Sequence, residues 1–148
     1  MMQFPAGASI APGQVIIIAN QAQVFTTTYG FWPDYEYVES SEAVPNLIPN
    51  IDWGSGTIDL INIGDEVLIL DEADICVDAL SWGSSSWAFD PSIPLVELGH
   101  SLERLPADSD QNTAADWIDQ AEPNPGDVAL SQSGGWIKRW IDRWFGNQ

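Results

Sequence analysis

The chain has very few basic side chains. Its 148 residues include 22 Asp and Glu but only four Lys and Arg, which gives a formal net charge of −18. A surface of that sign repels the phosphates of DNA and RNA, so we exclude nucleic acid from the expected partners. An acidic surface is compatible with divalent cations or with a basic protein partner, and its plainest interpretation is a solvated acidic face.

Cysteine and histidine are almost absent as well. A single cysteine, Cys76, excludes an intramolecular disulfide, and the alternation along residues 75–80 predicts a small buried side chain with an unreactive thiol. One Cys and one His cannot supply the four ligands of a zinc site. The only His, His100, lies inside the segment GHSLE, where a Ser-His-Asp hydrolase would need a base from elsewhere in the chain. We therefore expect a protein that is not an enzyme.

Long hydrophobic runs are also missing. No segment approaches the ~20 apolar residues that a transmembrane helix requires. Residues 14–20 form too short an apolar run, with no basic segment before them, to be a secretory signal. The apolar content of 45% and the eight Trp residues are nevertheless sufficient for the core of one domain.

Short apolar runs bounded by turn residues dominate what is present. Pro12-Gly13 and Gly64-Asp65 interrupt segments that are rich in Val, Ile and Leu and too short for helices, a pattern typical of buried strands. The pattern predicts a helical turn near 22–29 and an irregular surface segment over 34–53. The predicted strands lie near 14–19, 57–62, 66–71, 75–82 and 101–105.

Four sequence blocks, in this order, resemble the lamin tail domain as it occurs in bacterial proteins. They are FPAGASIAPGQVIIIAN (4–20), INIGDEVLILD (61–71), GHSLERLP (99–106) and TAADW (113–117). The resemblance implies an all-β fold, an immunoglobulin-like β-sandwich without enzymatic activity or cofactor. It also implies a structural or protein-binding module of the bacterial cell surface or exterior, with a protein partner that the sequence does not identify. The family normally begins with about three further strands, whose motifs do not precede Met1, so the expected sandwich is N-terminally incomplete.

The last residues form a different kind of segment. The sequence predicts a sandwich over 1–127, a linker over 128–135 and an amphipathic helix over 136–146. Three of the four basic residues lie in this helix, which gives it a charge of +2 against −20 for residues 1–135. Lys138, Arg139, Asp142 and Arg143 occupy one half of the helical wheel. The other half holds Trp136, Ile137, Trp140, Ile141, Trp144 and Phe145.

Two interpretations of this helix stay open. In the first, the helix folds back on the sandwich, where its Trp side chains cover apolar surface and its cations face the acidic body. In the second, the same apolar residues contact a lipid surface or the groove of a partner, which would make the chain a peripheral membrane protein.

A calcium site is a third functional prediction. Residues 108–119 place oxygen ligands at positions 1, 3, 5, 9 and 12 of a twelve-residue loop, the spacing that an EF-hand uses. Thr113 occupies position 6, where the sharp turn requires Gly, and position 12 carries Asp in place of the longer Glu. We therefore expect a weak calcium site at most, in a calcium-stabilised adhesion module. Its predicted ligands are Asp108, Asp110, Asn112, Asp116 and Asp119.

Overall fold

A computed structural model of the protein describes residues 1–131. The predicted helix 136–146 and its six apolar contact residues lie outside the described residues, as does part of the predicted linker. The described part is β-rich, with eight short strands and one α-helix. The elements are β1 (Met2–Gln3), β2 (Ile18–Ala19), α1 (Ala22–Tyr29), β3 (Tyr35–Glu36), β4 (Ile48–Pro49), β5 (Gly64–Leu70), β6 (Cys76–Gly83), β7 (Ser101–Arg104) and β8 (Trp117–Gln120).

The strands pair into four two-stranded sheets. β2 pairs with β3 in parallel, while β1 with β4, β5 with β6 and β7 with β8 are antiparallel. The chain divides into two compact units, Met1–Asp59 and Leu60–Gln148, of which the second is described to residue 131. We call the first the N-terminal unit and the described residues of the second, 60–131, the C-terminal unit. None of the helices in residues 1–131 has the length and apolar character needed to cross a bilayer.

The N-terminal unit has a small core under α1. Its buried apolar side chains are Ala19, Ala22, Val44 and Leu47. The segment between β3 and β4 contributes the last two, and the backbone N–H of Leu47 donates to the carbonyl of Glu36 at 2.7 Å. The prediction that 34–53 is an irregular surface segment was therefore only partly right: most of it is irregular and exposed, but it contains β3 and β4 and buries Glu36, Val44 and Leu47. Two-residue strands are too short for an alternating pattern to be seen in the sequence.

The C-terminal unit is built on the β5–β6 hairpin. Ile93 forms a parallel β-bridge at the outer edge of β6. The Ile93 N–H donates to the Ser81 carbonyl at 3.0 Å, and the Gly83 N–H donates to the Ile93 carbonyl at 2.9 Å. Gly83 has a φ of 60°, and a Cβ there would collide with the backbone carbonyl of Ile63. Glycine is therefore required where β6 leaves the hairpin. Phe89 and Ile93 are the buried apolar side chains of this unit within the described residues.

The other predicted elements had mixed outcomes. The helix prediction at 22–29 is confirmed as α1, and the strand predictions at 66–71, 75–82 and 101–105 are confirmed within one or two residues as β5, β6 and β7. Of the strand predicted over 14–19, β2 retains only Ile18–Ala19. The strand predicted over 57–62 was wrong, because the chain turns there: Asp65 Oδ2 accepts the Ile61 N–H at 3.0 Å, and the Gly64 N–H donates to the Ile61 carbonyl.

Cys76 is exposed, so its predicted burial was also wrong. The register of the hairpin shifts between Ile69 and Leu70, and this irregularity leaves Cys76 opposite Leu70 at the end of the hairpin. Ile75 and Val77 are exposed as well, so neither face is covered at this end of the hairpin, which simple alternation along 75–80 does not reveal.

Candidate functional site: an apolar cleft on helix α1

Glu36 is the structural centre of the N-terminal unit. Its side chain has a relative exposure of 0%, although it lies in a strand of only two residues. Oε2 accepts the Ala22 N–H at 2.7 Å and the Ser40 hydroxyl at 2.5 Å, and Oε1 accepts the N–H groups of Ser40 and Ser41 at 3.0 Å each. Both carboxylate oxygens are thereby satisfied, which a buried charge requires.

These contacts decide the charge of Glu36. Burial alone would raise the pKa of this carboxyl, but the hydrogen bonds from Ala22, Ser40 and Ser41 outweigh it and lower the pKa from 4.5 to about 2. Glu36 is therefore ionised at neutral pH. The negative charge lies at the N-terminus of α1, where it interacts favourably with the helix dipole.

The ends of α1 explain why this segment is helical. Gln21 precedes the helix but makes no side-chain capping bond. The first N–H of the helix, that of Ala22, instead donates to the Glu36 carboxylate on β3. Gly30 ends the helix with a left-handed φ of 82°, and its N–H donates to the Thr26 carbonyl at 2.8 Å. A tertiary contact thus replaces the local cap that the sequence lacks.

A cleft of about 440 Å³ lies along one side of α1. Its size is within the range of pockets that take small molecules or peptide side chains. Val24 is 59% exposed and Tyr29 is 41% exposed, so apolar surface of the cleft is open to solvent. The lining residues are Ala19, Asn20, Gln21, Val24, Phe25, Thr28 and Tyr29. The cleft therefore combines apolar surface with amide and hydroxyl groups.

Three aromatic rings cluster in this region. The Phe25 ring lies 4.7 Å from that of Tyr29 and 5.3 Å from that of Phe31, the latter pair edge to face. Such contacts stabilise ring positions beyond simple burial. Phe25 and Tyr29 are spaced i, i+4 on the helix, and this spacing in the sequence predicts that they share one face. No comparable sequence signal marks Glu36, whose partners are distant in the chain or lie in an apparent loop.

The unit that contains the cleft is acidic. Residues 1–59 contain six Asp and Glu and neither Lys nor Arg. Asp34 is one of the six, and its Oδ2 accepts the Ile17 N–H at 2.7 Å. A cationic ligand is favoured over an anionic one on such a unit.

The predicted calcium ligands lie in the C-terminal unit, and the four carboxylates among them each have a protein partner. Asp108 accepts the Ser131 N–H at 2.7 Å and the Ser131 hydroxyl at 2.6 Å. These bonds, and the one from the hydroxyl most of all, hold the pKa of Asp108 below its usual value. Asp116 Oδ2 accepts the N–H groups of Gln111 and Thr113 and is buried. Such bonds to backbone N–H groups stabilise the 111–116 turn.

The other two carboxylates of the predicted site are Asp110 and Asp119. Asp110 Oδ1 accepts the Asn112 N–H at 3.0 Å, and Asp119 Oδ1 lies 2.6 Å from His100 Nδ1. Among residues 1–131 no group of three or more His, Cys, Asp or Glu side chains is arranged to hold a metal ion. Calcium-stabilised adhesion stays a prediction, which a calcium-dependent rise in melting temperature would support.

Arg104 is the only Lys or Arg in residues 1–131. Its guanidinium lies 2.6 Å from Asp78 on β6 and 4.9 Å from the ring centre of Trp117, its cross-strand partner on β8. Hydrogen bonding to Asp78 raises the pKa of Arg104 despite partial burial. The group links β6 to the β7–β8 pair, and we assign it a structural role.

Comparison with protein-family models, curated proteins and solved structures gives no match. The resemblance to the lamin tail domain therefore stays a prediction that depends on its four sequence blocks.

Proposed function

We propose that this chain is a non-catalytic interaction module that binds a basic, apolar segment of a protein partner in the cleft on α1. In this proposal its fold is an immunoglobulin-like sandwich of the lamin-tail type, followed by a C-terminal amphipathic helix. Its place is a bacterial cell-surface or exported assembly. The β-rich architecture and the antiparallel β5–β6 and β7–β8 pairs are compatible with such a sandwich.

The observation that carries the proposal is the open apolar cleft on a helix whose first N–H is held by the buried Glu36 carboxylate. Val24 and Tyr29 expose apolar surface, while the buried Glu36 fixes the N-terminus of the same helix through Ala22. A rigid element that presents unburied apolar side chains is the usual basis of a protein docking site. Amphipathic peptides bind such grooves by inserting their apolar side chains.

The negative charge of the N-terminal unit determines which apolar peptides bind to the cleft. The N-terminal unit has six acidic residues and no basic residue, so its field attracts Lys and Arg beside the apolar anchors. An acidic peptide with the same apolar residues would be repelled. The expected ligand is therefore a cationic peptide with Leu, Phe or Trp anchors.

The proposal can be tested with two fluorescein-labelled peptides and fluorescence anisotropy. One peptide is amphipathic with Leu and Lys, and the other has every Lys replaced by Glu. The protein variants are Val24→Asp, in the cleft, and Thr27→Asp, an equally charged change at an exposed position of α1 that does not line the cleft. Circular dichroism confirms that both variants keep the fold.

We expect the basic peptide to bind and the acidic peptide not to bind. Removing the apolar contact of Val24 should weaken binding by about tenfold or more, although the added carboxylate itself attracts a basic peptide. Thr27→Asp adds the same charge without removing that contact and should change binding by less than about twofold. The proposal is wrong if the basic peptide fails to bind the native chain, or if both variants weaken binding equally.

A further inference from the structure

The C-terminal unit leaves much apolar surface uncovered. Within residues 60–131, twelve large apolar side chains are exposed, while Phe89 and Ile93 are buried. Leu98, for example, is 97% exposed. Exposed large apolar side chains in this number favour a contact with another segment or molecule. This surface belongs to a different unit from the α1 cleft and does not depend on the function proposed for that cleft.

The same unit is strongly acidic. Residues 60–131 contain 15 Asp and Glu against Arg104 alone, a net charge of −14, compared with −6 for residues 1–59. Residues 132–148 carry three basic side chains and one acidic one, a net charge of +2. Charge complementarity therefore favours contact between this last part of the chain and the C-terminal unit.

Hydrogen bonds hold Ser131, the last described residue, in place. Ser131 is bound to Asp108 through its N–H and its hydroxyl, and the Ala107 N–H donates to the Ala129 carbonyl at 2.7 Å. The chain therefore leaves the C-terminal unit beside the end of β7. Leu105 and Val128, both exposed, belong to the two backbone segments that meet there.

A short tether limits how far the next residues can reach. Trp136 follows Ser131 by five residues, which span at most about 18 Å even when fully extended. A tether of that length gives an effective concentration of about millimolar at surfaces within its reach. The segment 136–145, which we call the C-terminal segment, can therefore reach the surface beside Leu105 and Val128.

We propose that the C-terminal segment docks on the C-terminal unit of its own chain, on the apolar surface beside Leu105 and Val128. Trp136, Trp140 and Trp144 supply the apolar contact, and Lys138, Arg139 and Arg143 face the surrounding carboxylates. The segment is then an intramolecular cover. A lipid surface and a second copy of the chain are the competing occupants, and the experiment separates them.

The chain allows a direct test because Lys138 is its only lysine. A carbodiimide links an amine to a carboxylate in contact with it, so the intact protein can form such links only from Lys138 and from the N-terminal amine. The links are mapped by mass spectrometry in the monomer band. Lys138→Arg keeps the charge and removes the amine, which identifies the links that belong to this residue.

Two further variants test the apolar contact in the intact chain. Trp140→Ser removes an anchor, and Val128→Asp alters the surface; Val38→Asp is the matched control on an exposed Val of the N-terminal unit. Losing the burial of one large side chain should lower the yield of Lys138 links by about tenfold or more. Val38→Asp should leave the yield within about twofold of the native protein, because it lies in the other unit.

The proposal predicts links from Lys138 to carboxylates of residues 60–131 within the monomer. It is overturned by links to residues 1–59, by links found only in dimers, or by a yield that Trp140→Ser and Val128→Asp do not change. It is also overturned if the intact chain floats with lipid vesicles and Lys138 forms no links. None of these outcomes depends on peptide binding at the α1 cleft, so the two proposals can fail separately.

Discussion

Replacing Glu36 with glutamine tests how the N-terminal unit is held together. The Glu36→Gln side chain keeps its shape but has one acceptor oxygen where the carboxylate has two. The N–H groups of Ser40 and Ser41 approach one oxygen, and the Ala22 N–H and the Ser40 hydroxyl approach the other. In Glu36→Gln one of these pairs would face an NH₂ group, which leaves buried donors unsatisfied.

The size of the effect follows from the pKa of Glu36. A pKa lowered from 4.5 to about 2 corresponds to about 3 kcal/mol of stability at neutral pH. Because the native pKa is the lower one, this contribution is complete above pH 4.5. It decreases as the pH falls from 4.5 to 2, where the native carboxyl takes up its proton. Glu36→Gln should therefore unfold about 3 kcal/mol more easily at pH 7 and less than about 1 kcal/mol more easily at about pH 2.

Urea unfolding at several pH values measures this difference, and hydrogen exchange of the α1 amides shows whether the loss lies in the N-terminal unit. Glu39→Gln is the matched control, because it removes the same charge from an exposed carboxylate three residues away. It should change the free energy of unfolding by less than about 0.5 kcal/mol. The reasoning is refuted if both variants unfold alike at pH 7, or if the effect of Glu36→Gln is the same at pH 2.

Three further predictions concern the C-terminal unit. Gly83→Ala should be at least about 1 kcal/mol more destabilising in urea unfolding than Gly99→Ala. Both positions have positive φ, but only the Cβ at 83 meets backbone atoms. Equal effects would show that the positive φ, and not the steric collision, determines the loss. Arg104→Lys should destabilise the protein by about 1–2 kcal/mol because Lys cannot both pair with Asp78 and stack on Trp117; a melting curve that does not change would contradict the structural role. Cys76 is exposed, so a chromogenic disulfide reagent should modify it completely in the native protein; protection until unfolding would contradict its position at the end of the hairpin.

The sequence predicted best where the signals are local. The end of α1 is marked in the sequence by Gly30, which adopts the αL conformation that terminates the helix. β5 and β6 are long enough for apolar and turn residues to mark them, and the turn between them is rich in Asp. Such elements carry their own start and stop signals, so one sequence suffices to place them.

The elements that sequence reasoning missed depend on distant contacts. β3 and β4 have two residues each, and Glu36 is buried only because donors from α1 and from Ser40 and Ser41 converge on it. A charged residue between two Tyr in an apparent loop gives no sign of that environment. Within the acidic residues 108–119, Asp116 accepts the N–H groups of Gln111 and Thr113, contacts that the spacing of the carboxylates does not predict.

The most direct test of the proposed function is an NMR titration of the isotope-labelled intact chain with the basic amphipathic peptide. The peptide should shift the backbone amide signals of Asn20, Val24, Phe25 and Tyr29, which line the cleft, and these shifts should be absent with the acidic peptide. Shifts confined to other parts of the chain, or no shifts at a peptide concentration at which anisotropy reports binding, would contradict the assignment of the α1 cleft as the binding site.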